Sequence, residues 1–382
     1  MRALIVGKGH ERGSLAAARS LTAAGWEVGS GAPSGRGLVS LSRAVARRHE
    51  IPLISRDGDA FIAAVREVVR ETSYDVIFSS SDAELLALSE ARADLGAVFP
   101  YPPHGSLLSV LDKKQLDPRA REVGFNVPEV IEDPDGQLDR LGYPVVVKDR
   151  LHSARLGIGI ERVEATAARD PSEAEEALLE VRAHGGEPVV QRFVPGALMA
   201  YVCLIDSEGT VVAECQQLAE AIWPHPAGVS TRSQTIPVDS AVAESARALL
   251  SGLRWQGLAE VQFIKSSGDD PFLIDINARF YGSLALAIAA GVDLPAMWAD
   301  MAVGRSVEPV RAHPGVRYQW MEGDLRRSWA LGRGERLSAF RVALGASGRS
   351  THSIWSVRDP APAVRHALGL TGRFLVKGAP WT

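Results

Sequence analysis

Two stretches, GLAEVQFIK (257–265) and PFLIDINAR (271–279), decide how this chain folds and where its chemistry sits. Each alternates apolar and polar residues with the period of two that a β-strand imposes, so alternate side chains share a face. In the second stretch Ile274, Ile276 and Ala278 form one face, and Asp275, Asn277 and Arg279 the other. In the first, Glu260 and Gln262 oppose Val261 and Phe263. The connector SSGDD is short enough for a hairpin, which would gather five polar side chains on one patch beside a core. A solvated sheet face is the plain alternative, but it would normally carry Thr, Lys and Glu; Asp, Asn and Gln are poor strand formers. What these three share is an oxygen suited to Mg²⁺, which takes octahedral oxygen ligands and keeps waters and substrate phosphates in its shell. Arg279 then aims a planar cation at the same phosphates or at a developing acyl phosphate.

Outward from this pair, the start of the chain alternates strand and helix. RALIVG (2–7) reads as a buried strand, with helices predicted over 14–25, 59–72 and 83–94 and a second strand at DVIFSSS (75–81). That rhythm predicts a parallel, doubly wound sheet to about residue 104. Gly7, Gly9 and Gly13 approximate a dinucleotide fingerprint, but the third glycine falls one residue late, and no acidic residue follows a second strand at the required distance. A tight strand-to-helix turn explains them. YPPHG (101–105) marks a boundary. Beyond it come a helical stretch over 107–124, the strand PVVVKD (144–149), a helix over 172–184 and the strand PVVQRFV (188–194). MAYVCLID (199–206) and TVVAECQQ (210–217) read as a hairpin, and a helix follows over 238–252. The expected division is an α/β domain over 1–104, a second domain over 105–310 and a C-terminal extension over 311–382.

Composition narrows the functional classes. The 382 residues suffice for two or three domains. Lys plus Arg number 42 against 46 Asp plus Glu, a net charge of −4, which argues against a nucleic-acid partner held on a broad basic face. The most apolar run, LALAIAAGV (284–292), is too short to span a membrane. Two cysteines, Cys203 and Cys215, cannot build a disulfide framework or a zinc site, and reduced, packed thiols in a cytoplasmic protein are the expectation. Lysine occurs at only six positions, 8, 113, 114, 148, 265 and 377, so a lysine ending a buried strand stands out.

With the polar strand pair in place, four ordered stretches make the chain resemble the ATP-grasp superfamily, in the branch of the carbamoyl-phosphate synthase large chain and D-aspartate ligase. They are LDKKQLDPRAREVGFNVPEV (111–130), YPVVVKD (143–149), VVQRFVPG (189–196), and GLAEVQF with FLIDINARFYGS (272–283). The resemblance runs from about Leu107 to Gly304. It implies ATP between two lobes, with a lid lobe over about 126–195. Lys113 matches a phosphate-contacting cation, with Lys114 beside it solvated, and Lys148 matches the lysine that reaches the α- and β-phosphates. Gln191, Phe193 and Val194 match the hinge that reads adenine. Gln262, Asp275 and Asn277 match the ligands of Mg²⁺, expected as two ions with Mn²⁺ as a substitute. Arg279 matches the arginine that stabilises the transferring phosphoryl group, and Ser283 would sit near the acyl acceptor.

Three departures accompany the match. Gln262 and Asp275 stand where relatives often carry Glu. The loop RLHSARLGIGI (150–160) is poorer in Gly and Ser than the usual phosphate cover. Leu198 occupies the place of a ribose-holding glutamate. On the substrate side, EAIWPHPAGVSTRSQT (220–235) reads as a loop offering His225, Ser230 and Arg232, with Arg232 as a carboxylate clamp. The implied activity is ATP-dependent joining of a carboxylate to an amine through an acyl phosphate, on amino acids or small peptides, in a monomer or homodimer without nucleic-acid or membrane partners. Transfer to a carrier-protein thiol and a non-catalytic nucleotide-binding module are the alternatives.

Overall fold

The computed structural model describes residues 1–131, 134, 138–150, 165–266 and 271–377. Its first block is a parallel sheet in the order β3–β2–β1–β4, made of β1 (Arg2–Val6), β2 (Glu27–Ala32), β3 (Val45–Glu50) and β4 (Val76–Ser79). Ala3, Leu4, Ile5 and Val6 are buried, as a strand covered on both faces requires. Helices α1 (Arg12–Ala23), α2 (Gly58–Thr72) and α3 (Asp82–Glu90) alternate with the strands. α2 starts where the Asp57 carboxylate accepts the Ala60 N–H at 2.9 Å, and it buries Phe61, Val65, Val68 and Val69 along one stripe.

The helical stretch that follows is two helices, α4 (His104–Leu111) and α5 (Lys113–Glu122). The break falls at Asp112, whose carboxylate accepts the Lys114 N–H at 3.0 Å and caps the second helix. A small antiparallel sheet comes next, in the order β5–β8–β6–β7: β5 (Val130–Ile131), β6 (Val145–Asp149), β7 (Thr166–Ala168) and β8 (Pro188–Arg192). Helix α6 (Pro171–Ala183) covers it, and the lobe has a core of its own around Val145, Val147, Leu178, Val181 and Val190.

The central sheet runs β13–β12–β9–β10–β11–β15–β16, with β14 beside β10. Its strands are β9 (Ala197–Ile205), β10 (Val211–Trp223), β11 (Val229–Ile236), β12 (Gly257–Lys265), β13 (Phe272–Asn277), β14 (Val310–Arg311), β15 (Arg317–Gln319) and β16 (Thr351–His352). Helices α7 (Ser240–Gly252), α8 (Leu284–Ala289) and α9 (Leu294–Ala302) pack with it, and α10 (Met321–Ala330), α11 (Arg333–Ser347) and α12 (Ala361–Lys377) follow. One continuous core joins this sheet to the first block. At the junction Phe78 of β4 lies 5.2 Å from Phe280 and 4.9 Å from Trp298 between ring centroids.

Several expectations need correction. Residues 220–235 are not a loop: they form the end of β10, a turn and β11, because Ile222 to Thr235 complete an antiparallel ladder. The C-terminal extension after 311 adds to the central sheet through β15 and β16. Asp359 also ties the tail back to the first block, accepting Arg19 Nε at 2.8 Å and Ser42 Oγ at 2.6 Å. The cysteines are free and buried; the register sets Cys203 against Glu214 and Cys215 against Val202. Residues 151–160 of the phosphate-cover stretch and 267–270 of the hairpin connector lie outside the described residues.

Candidate active site

The polar strand pair forms as its alternation predicts. β12 and β13 pair antiparallel with Glu260 opposite Asn277 and Gln262 opposite Asp275, so all four side chains share one face. Glu260 is the hub: its Oε2 accepts Gln262 Nε2 at 3.1 Å and Asn277 Nδ2 at 2.9 Å, and its Oε1 accepts Gln217 Nε2 at 3.0 Å. Both amides thus spend their nitrogen ends on Glu260, and among the described residues no donor reaches their oxygen ends. Two amide oxygens and the Asp275 carboxylate make a hard-oxygen set that fits Mg²⁺. No cluster of three or more His, Cys, Asp or Glu side chains among the described residues forms a cage for a metal.

Burial pushes the Glu260 carboxyl up to about 7, against the opposing pull of Arg279 and the two amides. Arg279, two residues past β13, lines the same cavity. Its Nε donates to Asp82 Oδ1 at 2.8 Å and its Nη2 to Asp82 Oδ2 at 3.0 Å, a two-pronged pair whose members are both buried. Desolvation works against the guanidinium charge, but Asp82, Asp275 and Glu260 hold its pKa above the ordinary arginine value. Asp82 is the first residue of α3, so the first block reaches across to fix this arginine.

Opposite lies the small sheet. Lys148 near the end of β6 faces a cavity of about 710 Å³ that Gln191, Phe193, Val194 and Leu198 line as well. Among the described residues the Lys148 ammonium has no ion pair or hydrogen bond. Burial and the like charge of Lys113 bring its pKa down to about 8, against the pull of Asp275 and Asp117. The cavity's other wall includes Gln262, Asp275, Asn277, Arg279, Ser230 and Ser283. Ser283 Oγ accepts Gln217 Nε2 at 3.0 Å, which extends the Glu260 network to the cavity floor.

The remaining sequence expectations fare differently. Lys113 does not line the cavity: its ammonium is buried and donates to Asp275 Oδ1 at 2.7 Å, behind the wall. Lys114 pairs with Glu187 at 3.6 Å and so is not simply solvated. Arg232 is no free clamp, because it pairs with the buried Asp324 of α10 at 3.2 Å. His225 is exposed on the turn between β10 and β11 and does not line the cavity. Sequence reasoning left Glu260 without a role and missed Asp82 and Gln217. Asp82 follows the carboxyl end of a parallel strand, where α/β sheets place their ligands, and Gln217 is a poor strand former inside a long strand.

A nucleotide-sized cavity between a small antiparallel sheet and a large one, with a cation on one wall and oxygen ligands on the other, decides the fold. The chain has the ATP-grasp fold. Residues 201–324 match the family model described as "ATP-grasp in the biosynthetic pathway with Ter operon". Among solved ATP-grasp structures, L-amino acid ligase from Bacillus licheniformis superposes with TM-score 0.63 at 18% identity, covering 83% of this chain and 78% of that one. N5-carboxyaminoimidazole synthetase from Staphylococcus aureus gives 0.60 at 16%, covering 83% and 80%. The biotin carboxylase domain of 2-oxoglutarate carboxylase from Hydrogenobacter thermophilus, solved with MgADP, gives 0.65 at 13%, covering 83% and 73%. No curated protein sequence matches the chain. Among the described residues no helix is long and apolar enough to cross a membrane.

Proposed function

We propose that this ATP-grasp protein is an ADP-forming ligase that joins a carboxylate to an amine, acting on amino acids or small peptides. The observation that carries this reading is the convergence of Lys148, Arg279 and the Gln262–Asp275–Asn277 oxygen set on one cavity wall-to-wall. In the first step a carboxylate oxygen attacks the γ-phosphorus of ATP; the bond to the β,γ-bridging oxygen breaks, and ADP leaves. The amine nitrogen then attacks the acyl carbon, loses a proton, and inorganic phosphate departs. Lys148 would bind the α- and β-phosphates, with Gln191, Phe193 and Val194 against adenine. Arg279, held rigid by Asp82, would meet the charge that develops on the transferring group without having to reorganise. Gln262, Asp275 and Asn277 would hold Mg²⁺, which neutralises phosphate charge when bound. Positioning does the rest, as in phosphoryl transfer generally.

Leu198 on the cavity wall favours the second reading, a nucleotide-binding module without turnover, because an apolar side chain offers the ribose no acceptor. A product-resolved screen over amino acids, singly and in pairs, separates the two. The ligase releases ADP and phosphate only with a carboxylate present, and hydroxylamine replaces the amine to give a hydroxamate. AMP and pyrophosphate as the main products would refute the acyl-phosphate route, and ATP binding without turnover would favour the module.

A further inference from the structure

Among the described residues four arginines line the cavity, and three of them have carboxylate partners: Arg192 with Glu129, Arg279 with Asp82 and Arg326 with Glu322. The fourth, Arg12, has none among the described residues. It opens α1 at the carboxyl end of β1 and is partly buried. Its contacts hold it in place without neutralising it. The guanidinium carbon stands 3.8 Å from the centroid of the Trp320 ring, and Nη1 donates to Tyr318 Oη at 3.3 Å. Tyr318 Oη in turn donates to the Gly282 carbonyl oxygen at 2.9 Å. A Cβ added at Gly282 would lie 3.0 Å from Arg12 Nη2, so the fork lies against the backbone beside Ser283. Gly13 lets α1 approach this closely, since a Cβ there would collide with the Tyr281 carbonyl oxygen.

A guanidinium kept in a cavity without a counter-charge is costly unless a ligand supplies the anion. We propose that Arg12, stacked on Trp320, binds a substrate carboxylate other than the one being activated. Its flat fork suits two-pronged carboxylate recognition, and the indole fixes its plane before the ligand arrives. Arg279 cannot take this second carboxylate, because Nε and Nη2 are already committed to Asp82. The proposal rests on the ligase reading and adds to it that one substrate carries a spare carboxylate: an amino acid or peptide as amine, or a dicarboxylate as donor.

The test compares wild type, Arg12→Gln and Arg12→Lys in ADP release, with L-amino acids and their primary amides as acceptors and hydroxylamine as a third. Arg12→Gln should raise the KM for amino-acid acceptors at least tenfold, leave amides and hydroxamate formation within about twofold, and so abolish the wild type's preference for the free acid. Arg12→Lys, which keeps the charge but not the fork, should fall between. A loss seen with hydroxylamine only when the donor is a dicarboxylate would assign the spare carboxylate to the donor. A wild type that treats acid and amide alike with every donor, with no loss for dicarboxylate donors in Arg12→Gln, or an active Arg12→Gln that keeps the preference, overturns the proposal. If wild type releases no ADP with any donor, the ligase reading fails, and Arg12 is judged by thermal stabilisation with the twenty L-amino acids against L-alaninamide. Stabilisation by the acids that Arg12→Gln abolishes supports the carboxylate site, and its absence refutes it.

Discussion

The two walls of the cavity hold their cations in opposite ways. On the central-sheet side Arg279 is locked to Asp82, and behind that wall Lys113 of α5 is locked to Asp275, each within 3.0 Å. On the small sheet Lys148 faces the cavity with no partner among the described residues. The locked cations keep their positions with or without a ligand, whereas the unpaired ammonium gains its full compensation only from an incoming anion. One wall is preorganised, and the other is poised.

Removing either cation should separate activity from stability. Lys148→Met and Arg279→Met should each lower ADP release on the order of 10²-fold or more, the scale of losing one charge-stabilising group. Arg279→Met also takes a two-pronged charged partner from the buried Asp82 carboxylate, at up to about 3–5 kcal/mol, whereas Lys148→Met discards an ammonium with no side-chain partner among the described residues and should leave the denaturation midpoint unchanged or higher. Equal losses of stability would erase the contrast between the walls. Asp82→Asn keeps the shape and removes the charge that fixes the arginine. Turnover should fall about tenfold with little change in the KM for ATP, as expected when a group acting in the transition state is misplaced. Lower stability with full turnover would make Asp82 purely structural.

The smallest effect is in pH. Glu260, raised from 4.5 to about 7, holds a proton in the folded chain that the unfolded chain has shed between those values, so folding stability should fall as pH rises through that window. Glu84, raised to about 7 mainly by burial, shares the window, and Glu260→Gln should therefore remove part of the slope in a pH series of denaturation midpoints. Lys148 behaves oppositely. With its pKa lowered from 10.5 to about 8, it should add stability as pH rises from 8 towards 10.5, while ATP binding weakens as the ammonium is lost. An ATP affinity flat across pH 8 would show that the poised cation is not a phosphate ligand.

Much of the central sheet's polar face was legible because strands write their faces into the sequence with a period of two. Asp275 and Asn277 could be placed on one surface from spacing alone, and the β12–β13 register bears that out; Arg279, two residues past the strand, lines the cavity with them. Lys148 was legible as a rare lysine closing the apolar run PVVV, and it lines the cavity. What spacing could not reveal were pairings across long separations. Asp82 and Arg279 are 197 positions apart, and Lys113 and Asp275 are 162 apart, so neither locked pair has a local signature. The 220–235 segment misled for a different reason: Pro224, Pro226 and Gly228 are turn residues, but they occupy only the tip of a long hairpin. The same holds for the tail, where strands of two or three residues join the central sheet without any run long enough to recognise.

The aromatic junction between the first block and the central sheet also has an optical consequence. Trp298 is 1% exposed, wedged between Phe78, Phe280 and Tyr101, with its indole N–H on the Pro100 carbonyl. Its fluorescence belongs to the seam that holds Asp82 against Arg279, and it is shielded from anything that enters the cavity. Trp223 and Trp320 stand on the cavity wall instead. Of the chain's eight tryptophans, Trp298 is therefore placed to report whether the seam is intact, and Trp223 and Trp320 to report whether the chamber is filled.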